Sequence, residues 1–148
     1  MEMLGYLRPD GQIGIRNKVS IIFSTDCSRH IARQVKSLFP EGTQLFGYPG
    51  GCGFADGAFH KLVALGSHSS SAAALVIGLG CEGTDASRVA AAIAETGRPA
   101  EAIKIQDEGG DLRTIETASR IMARLLQTAW MTKRVPMTPG GLIVGTEC

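Results

Sequence analysis

Short apolar runs, each ending abruptly in glycine or a small polar residue beside a reactive side chain, most constrain what this chain can fold into. Val19 to Phe23 and Ala73 to Leu79 are aliphatic with little polar alternation, the pattern of strands covered on both faces. Leu45-Phe46-Gly47 and Ala102 to Gln106 are shorter runs of the same kind. Between them lie stretches of helical period. From about Ser28 to Phe39, Ile31, Val35 and Leu38 share a stripe opposite Arg29, Arg33 and Lys36, and Pro40 and Gly42 stop the helix. Ala58 to Leu65 forms a short helix with Phe59, Leu62 and Val63 inward. Another, capped by Thr84 or Asp85, runs to about Thr96 and ends at Gly97 and Pro99. Leu112 to Gln127 is long and amphipathic, with Ile115, Ala118, Met122 and Leu125 on one stripe.

Strands alternating with helices give an α/β domain with a mainly parallel sheet of about four to five strands, Rossmann- or flavodoxin-like in its three layers. Before it, Pro9-Asp10-Gly11 is a turn signal between two short runs, so residues 1–17 read as a β-hairpin arm. Val135 to Gly141 reads as a loop, and Leu142 to Val144 begins a last strand. Because the chain stops where that strand meets its loop, residues 1–148 are expected to be one domain of a longer protein.

A chain of 148 residues suits one domain with its own core, and 44% hydrophobic with 20% charged residues is ordinary for a globular protein. The net charge of +1 offers no general attraction to nucleic acid or an anionic membrane. No run has the length of a membrane span, and the N-terminus lacks the basic and apolar regions of a signal peptide, so the cytoplasm is the expected compartment. In that compartment the four cysteines are expected as reduced thiols.

Parallel sheets build their sites in the crevice at the carboxyl ends of the strands. Here those ends read Ser24-Thr25-Asp26-Cys27, Gly50-Gly51-Cys52-Gly53, Gly80-Cys81-Glu82-Gly83, Gln106-Asp107-Glu108-Gly109-Gly110 and Gly145-Thr146-Glu147-Cys148. All four cysteines and several carboxylates fall there, and many of the 19 glycines cluster with them. The cysteines lack CxxC spacing, which argues against structural zinc. Cys27, Cys52 and Cys81 at one sheet edge are compatible with an iron–sulfur cluster, although cluster ligands commonly include a close CxxC pair. His30, His60 and His68 fall among polar or charged neighbours and are expected at the surface.

Five stretches in order along the chain resemble the altronate/galactarate dehydratase family, which includes the large subunit of sulfolactate sulfo-lyase. They are Gly5-Tyr6-Leu7-Arg8-Pro9-Asp10-Gly11-Gln12-Ile13-Gly14-Ile15-Arg16-Asn17, Gly51-Cys52-Gly53, Gly78-Leu79-Gly80-Cys81-Glu82, Ile105-Gln106-Asp107-Glu108-Gly109-Gly110 and Val144-Gly145-Thr146-Glu147-Cys148. The resemblance implies a second, central domain of a lyase that eliminates water from a sugar acid, or sulfite from sulfolactate. A small β-rich domain or subunit would precede it, and a C-terminal α/β domain would follow. It implies Fe²⁺ or another divalent metal, held mainly outside this stretch, and a part in subunit pairing into a homodimer; the hairpin arm and the long helix offer apolar surface for such a two-fold contact. Family members often carry a histidine shortly before the glycine-cysteine pair, where this chain has Tyr48-Pro49.

Such an elimination needs a base for the proton α to the carboxylate, an acid for the leaving group and a cation to steady the enediolate. Glu82, Glu108 and Glu147 are the acid/base candidates, and Cys52, Cys81 and Glu82 the metal-ligand candidates. Arg16 could clamp a substrate carboxylate, while Asn17 and Gln106 could orient hydroxyls. Each also has a structural reading: Arg16 and Asn17 in hairpin pairing, Glu82 in the first turn of a helix, Asp107 and Glu108 as caps. The isolated domain is expected to be inactive and to serve pairing and site lining. Gly78-Leu79-Gly80-Cys81-Glu82-Gly83 also has the form of a nucleotide fingerprint, although Glu82 would carry a negative charge into the phosphate site.

Overall fold

The computed structural model describes residues 3–53, 56–142 and 145–146 and, of Asp56, the backbone alone. A hairpin opens the chain, β1 (Met3–Leu7) and β2 (Ile13–Gly14), with Tyr6 opposite Gly14 and Leu7 opposite Ile13. Next come β3 (Lys18–Phe23), α1 (Arg29–Leu38), β4 (Thr43–Gly47), α2 (Asp56–Gly66) and β5 (Ser71–Gly78). Then follow α3 (Ala86–Ala94), β6 (Ala100–Lys104), the single turn α4 (Ile105–Glu108), α5 (Asp111–Met131) and β7 (Val135–Met137).

Strands β3 to β6 form one fully parallel sheet in the order β4-β3-β5-β6. The two apolar strands read most clearly from the sequence, β3 and β5, are its centre. Their side chains alternate between faces as the strand period requires. Val19, Ile21, Phe23, Ala73, Leu75 and Ile77 pack with α1 and α5, while Ile22, Ala74 and Val76 pack with α2 and α3. The result is an α/β/α sandwich, as the alternating pattern implies. Asp85 caps α3 by accepting the Arg88 N–H at 3.0 Å. On α1, Ile31 and Val35 are buried as expected, but Leu38 is 56% exposed and Ala32 takes the inner position.

Several expectations need correction. Val135-Pro136-Met137 is not a loop: it pairs antiparallel with β1, making a second, three-stranded sheet ordered β2-β1-β7. The hairpin is therefore the core of a small sheet. Gln106 does not end a strand, because β6 stops at Lys104 and α4 begins at once. Neither Asp107 nor Glu108 caps α5, whose N-cap is Gly110. Leu142 is not in a strand, and Ile143, Val144, Glu147 and Cys148 lie outside the described residues.

Candidate functional site

The order β4-β3-β5-β6 reverses direction at β3: the chain goes first to one side, to β4, then crosses to β5 on the other. The carboxyl ends of β3 and β5 form the topological switch point, where open α/β sheets leave a crevice. Glu82 fills it. Only 9% exposed, it accepts the Ser24 hydroxyl on Oε1 and the Gly80 N–H on Oε2, each at 2.7 Å. Two glycines make this possible. A Cβ on Gly78 would stand 2.2 Å from Glu82 Oε1, and Gly80 takes φ +124° with the Gln106 side chain against it. The Gly80 N–H that a nucleotide phosphate would need is therefore already given to a carboxylate, which weighs against the fingerprint reading.

Three loops are tied together around this crevice. The Asp26 N–H and the Thr25 hydroxyl donate to the Gly50 carbonyl at 3.2 and 3.3 Å, joining the loop after β3 to the loop after β4. The Gly83 N–H donates to the Cys52 carbonyl at 2.7 Å, joining the loop after β4 to the loop after β5. Cys27, Cys52 and Cys81 thus stand on adjacent, mutually bonded loops, all exposed and all free thiols. Neighbouring Cys27, then desolvation, then Cys81 push the Cys52 thiol above its ordinary value. His30 bridges the Cys27 carbonyl and the Asp111 carboxylate, each at 3.0 Å, fixing the first loop against the start of α5. All three histidines are exposed, as expected. The Tyr48 ring lies over Gly50, where a Cβ would meet it at 2.2 Å.

The strand-end candidates from β6 lie on the same edge. Gln106 is exposed, its N–H donating to the Leu79 carbonyl at 3.0 Å. Glu108 is half-buried and accepts the Thr117 hydroxyl at 2.7 Å. Lys104 pairs with Asp85 at 2.6 Å.

Arg16 and Asn17 lie at the other end of β3. They precede Lys18, whereas Ser24 follows Phe23, and the six residues between span about 20 Å. One small substrate cannot touch both sets within this chain. Arg16 is exposed and lines a pocket of ≈ 400 Å³ with Ile15, Gln44, Phe46, Leu65, His68 and Ser70. Asn17 straps elements together: its Oδ1 accepts from Arg8 at 2.7 Å and its Nδ2 donates to the Ala129 carbonyl at 2.5 Å. The sequence reading missed two buried arginines here. Arg8, 4% exposed, also donates to the carbonyls of Ser69 at 2.7 Å and Arg16 at 2.8 Å. Arg98, 1% exposed, pairs with Asp10 at 2.6 Å and donates to the Ser71 carbonyl at 3.2 Å. An arginine beside a turn aspartate in sequence would have been a signal, but Asp10 and Arg98 are 88 residues apart.

The donor set suggested for Fe²⁺ or another divalent ion, Cys52, Cys81 and Glu82, does not fit a single ion in this arrangement. Both Glu82 oxygens are engaged with Ser24 and Gly80. Among the described residues no group of three His, Cys, Asp or Glu side chains could hold one metal ion.

The strand-end glycine-cysteine-glutamate turn, the hairpin and the fold between them are all covered by one sequence family. Residues 5–130 match the family described as D-galactarate dehydratase/Altronate hydrolase, second domain. The chain belongs to this family. It is 34% identical to the (2R)-sulfolactate sulfo-lyase subunit beta of Chromohalobacter salexigens over 98% of its own length and 37% of that subunit. It is 36% identical to the altronate dehydratase of Escherichia coli over 52% of its own length and 18% of that enzyme. The chain thus spans little more than a third of the first of these relatives. No solved structure matches it.

Proposed function

We propose that the chain is the central domain of a lyase that removes a leaving group β to a carboxylate in a small hydroxy acid, water from a sugar acid in the first reading. The family match over residues 5–130 carries this proposal. The carboxyl edge of the sheet is the face that borders the substrate. Gln106 there offers an exposed amide for a substrate hydroxyl. Glu108 serves as the acid/base group on this face. Glu82 positions the loop: its two short hydrogen bonds fix the turn that presents Cys81. Arg16 acts apart from them, as the cationic wall of the pocket at the opposite edge, where a carboxylate from another domain or substrate tail can dock.

Sulfite elimination is the second reading, favoured by the match to the sulfo-lyase subunit along 98% of the chain. In either case remaining domains or subunits complete the site, and the metal the family reaction calls for is held mainly by them. The exposed Leu4, Leu7 and Ile15 of the hairpin region and Leu112, Trp130 and Met131 of α5 support pairing into a homodimer through these elements. No helix among the described residues is long and apolar enough to cross a membrane.

The test supplies altronate, galactarate and sulfolactate to the complete protein and to the 148-residue chain alone, following keto-acid formation and sulfite release. Turnover by the complete protein and none by the chain is the expected result. Turnover by the chain alone overturns the lining role, and no turnover of any of these acids by the complete protein overturns the lyase reading.

A further inference from the structure

We propose that Cys27, Cys52 and Cys81 together hold a [4Fe–4S] cluster, each thiolate on a different iron and the fourth iron left open to an exogenous ligand. The inference stands on this chain's own geometry and not on the lyase reading. The three cysteines come from loops after three adjacent parallel strands, β4, β3 and β5. Those loops are bonded within two residues of each sulfur: Asp26 to Gly50, and Gly83 to Cys52 itself. The sheet thereby supplies the proximity that a CxxC motif supplies locally. The site is also where the fold leaves a crevice, at the switch point between β3 and β5.

A lone ion needs its ligands gathered about one point, and no such group of three exists among the described residues. A polynuclear cluster spreads its thiolates over separate metal atoms, so ligands on three neighbouring loops suit it. Soft thiolates select such iron–sulfur centres over hard cations. Helices α1, α2 and α3 each begin within a few residues of one of the cysteines, so their positive ends favour an anionic group on this edge. Glu82, turned inward, leaves the outer side of the loops to sulfur.

Loading is a ligand exchange without redox change. A synthetic [4Fe–4S] tetrathiolate complex gives up three exogenous thiolates. Three cysteine S–Fe bonds form as three exogenous S–Fe bonds break, and each cysteine proton leaves on a departing thiol.

The experiment mixes the anaerobic chain with that complex, removes the excess, and measures iron, sulfide and the visible thiolate-to-iron absorption. About four irons and as many sulfides per chain are expected. Cys27→Ala, Cys52→Ala and Cys81→Ala should each lower retention at least tenfold. Their apo unfolding midpoints should be unchanged because the thiols are exposed. If one variant fails to fold, the corresponding Cys→Ser chain replaces it under the same criterion. Failure of the parent chain to retain iron and sulfide overturns the proposal, as does full retention in any one folded variant. Because the readout is metal and sulfide and not turnover, this proposal and the lyase reading fail separately.

Discussion

Glu82 has both carboxylate oxygens committed to neighbours, so its replacement should be visible in stability before activity. Glu82→Ala strands the Gly80 N–H and leaves the Ser24 hydroxyl only the Ile77 carbonyl at 3.5 Å. We expect a loss of about 3 kcal/mol, read by urea unfolding, with Glu82→Gln costing less because one acceptor survives. A group that was chiefly a solvent-facing base would show no such loss. Gly80→Ala should cost about 2 kcal/mol, since φ +124° is hostile to a side chain and the new Cβ would meet Gln106 Oε1 at 2.7 Å. In the sequence, Glu82 was recognisable as special because a charge sits inside a glycine loop. Its role was not recognisable, because the partner that reveals it, Ser24, is 58 residues away. The same holds for the thiols. Their position at strand ends was readable from the runs before them, but their adjacency depends on strand order, which local periodicity does not encode.

At the level of elements, the hairpin is held to the sandwich by two arginines that lose most of their water. Asp10→Ala would leave Arg98 buried beside only neutral acceptors, at a cost of about 3 kcal/mol in chemical denaturation. Burial alone would raise the Asp10 pKa, but the hydrogen bond from Arg98, the Gln12 N–H and the Arg98 charge outweigh it and hold it below the ordinary 3.8. Asp85 behaves alike: burial raises it, while Lys104 and the Arg88 N–H bring the net result below 3.8. Depressed carboxylate values mean that the folded state binds these protons less readily than the unfolded chain. Their stabilisation is present above pH 3.8 and is lost as pH falls through the lower folded values. Asp10→Asn and Asp85→Asn should each make acid unfolding less steep, as followed by circular dichroism. Lys104 is the opposite case. Its hydrogen bond to Asp85 raises it above 10.5, so its contribution holds below that pH and fades as pH rises through the folded value. Strands β3 and β5 were legible because they are buried on both faces and need uninterrupted apolar sequence. The three-residue β7 was not, because Pro136 and a nearby Pro139 read as turn residues, and such a short edge strand carries no period.

For the molecule as a whole, stability should reside in the sandwich. Met122 is fully buried between α5 and the sheet, and Met122→Ala should cost about 2–5 kcal/mol by denaturant midpoint. Hydrogen exchange should be slowest in β3 and β5 and much faster in β1 and β7, whose ladder is short and at one end exposed. The register of that ladder has a mechanical consequence. Met3 faces Met137, and the pairing continues inward to Gly5 and Val135. Both ends of the unit therefore leave it side by side, from the same end of the same pair of strands. Tension applied through them would not shear the parallel sheet but would peel β1 from β7 one pair at a time. The small sheet would act as a fuse, opening at low force while the β3–β5 core behind it stays closed.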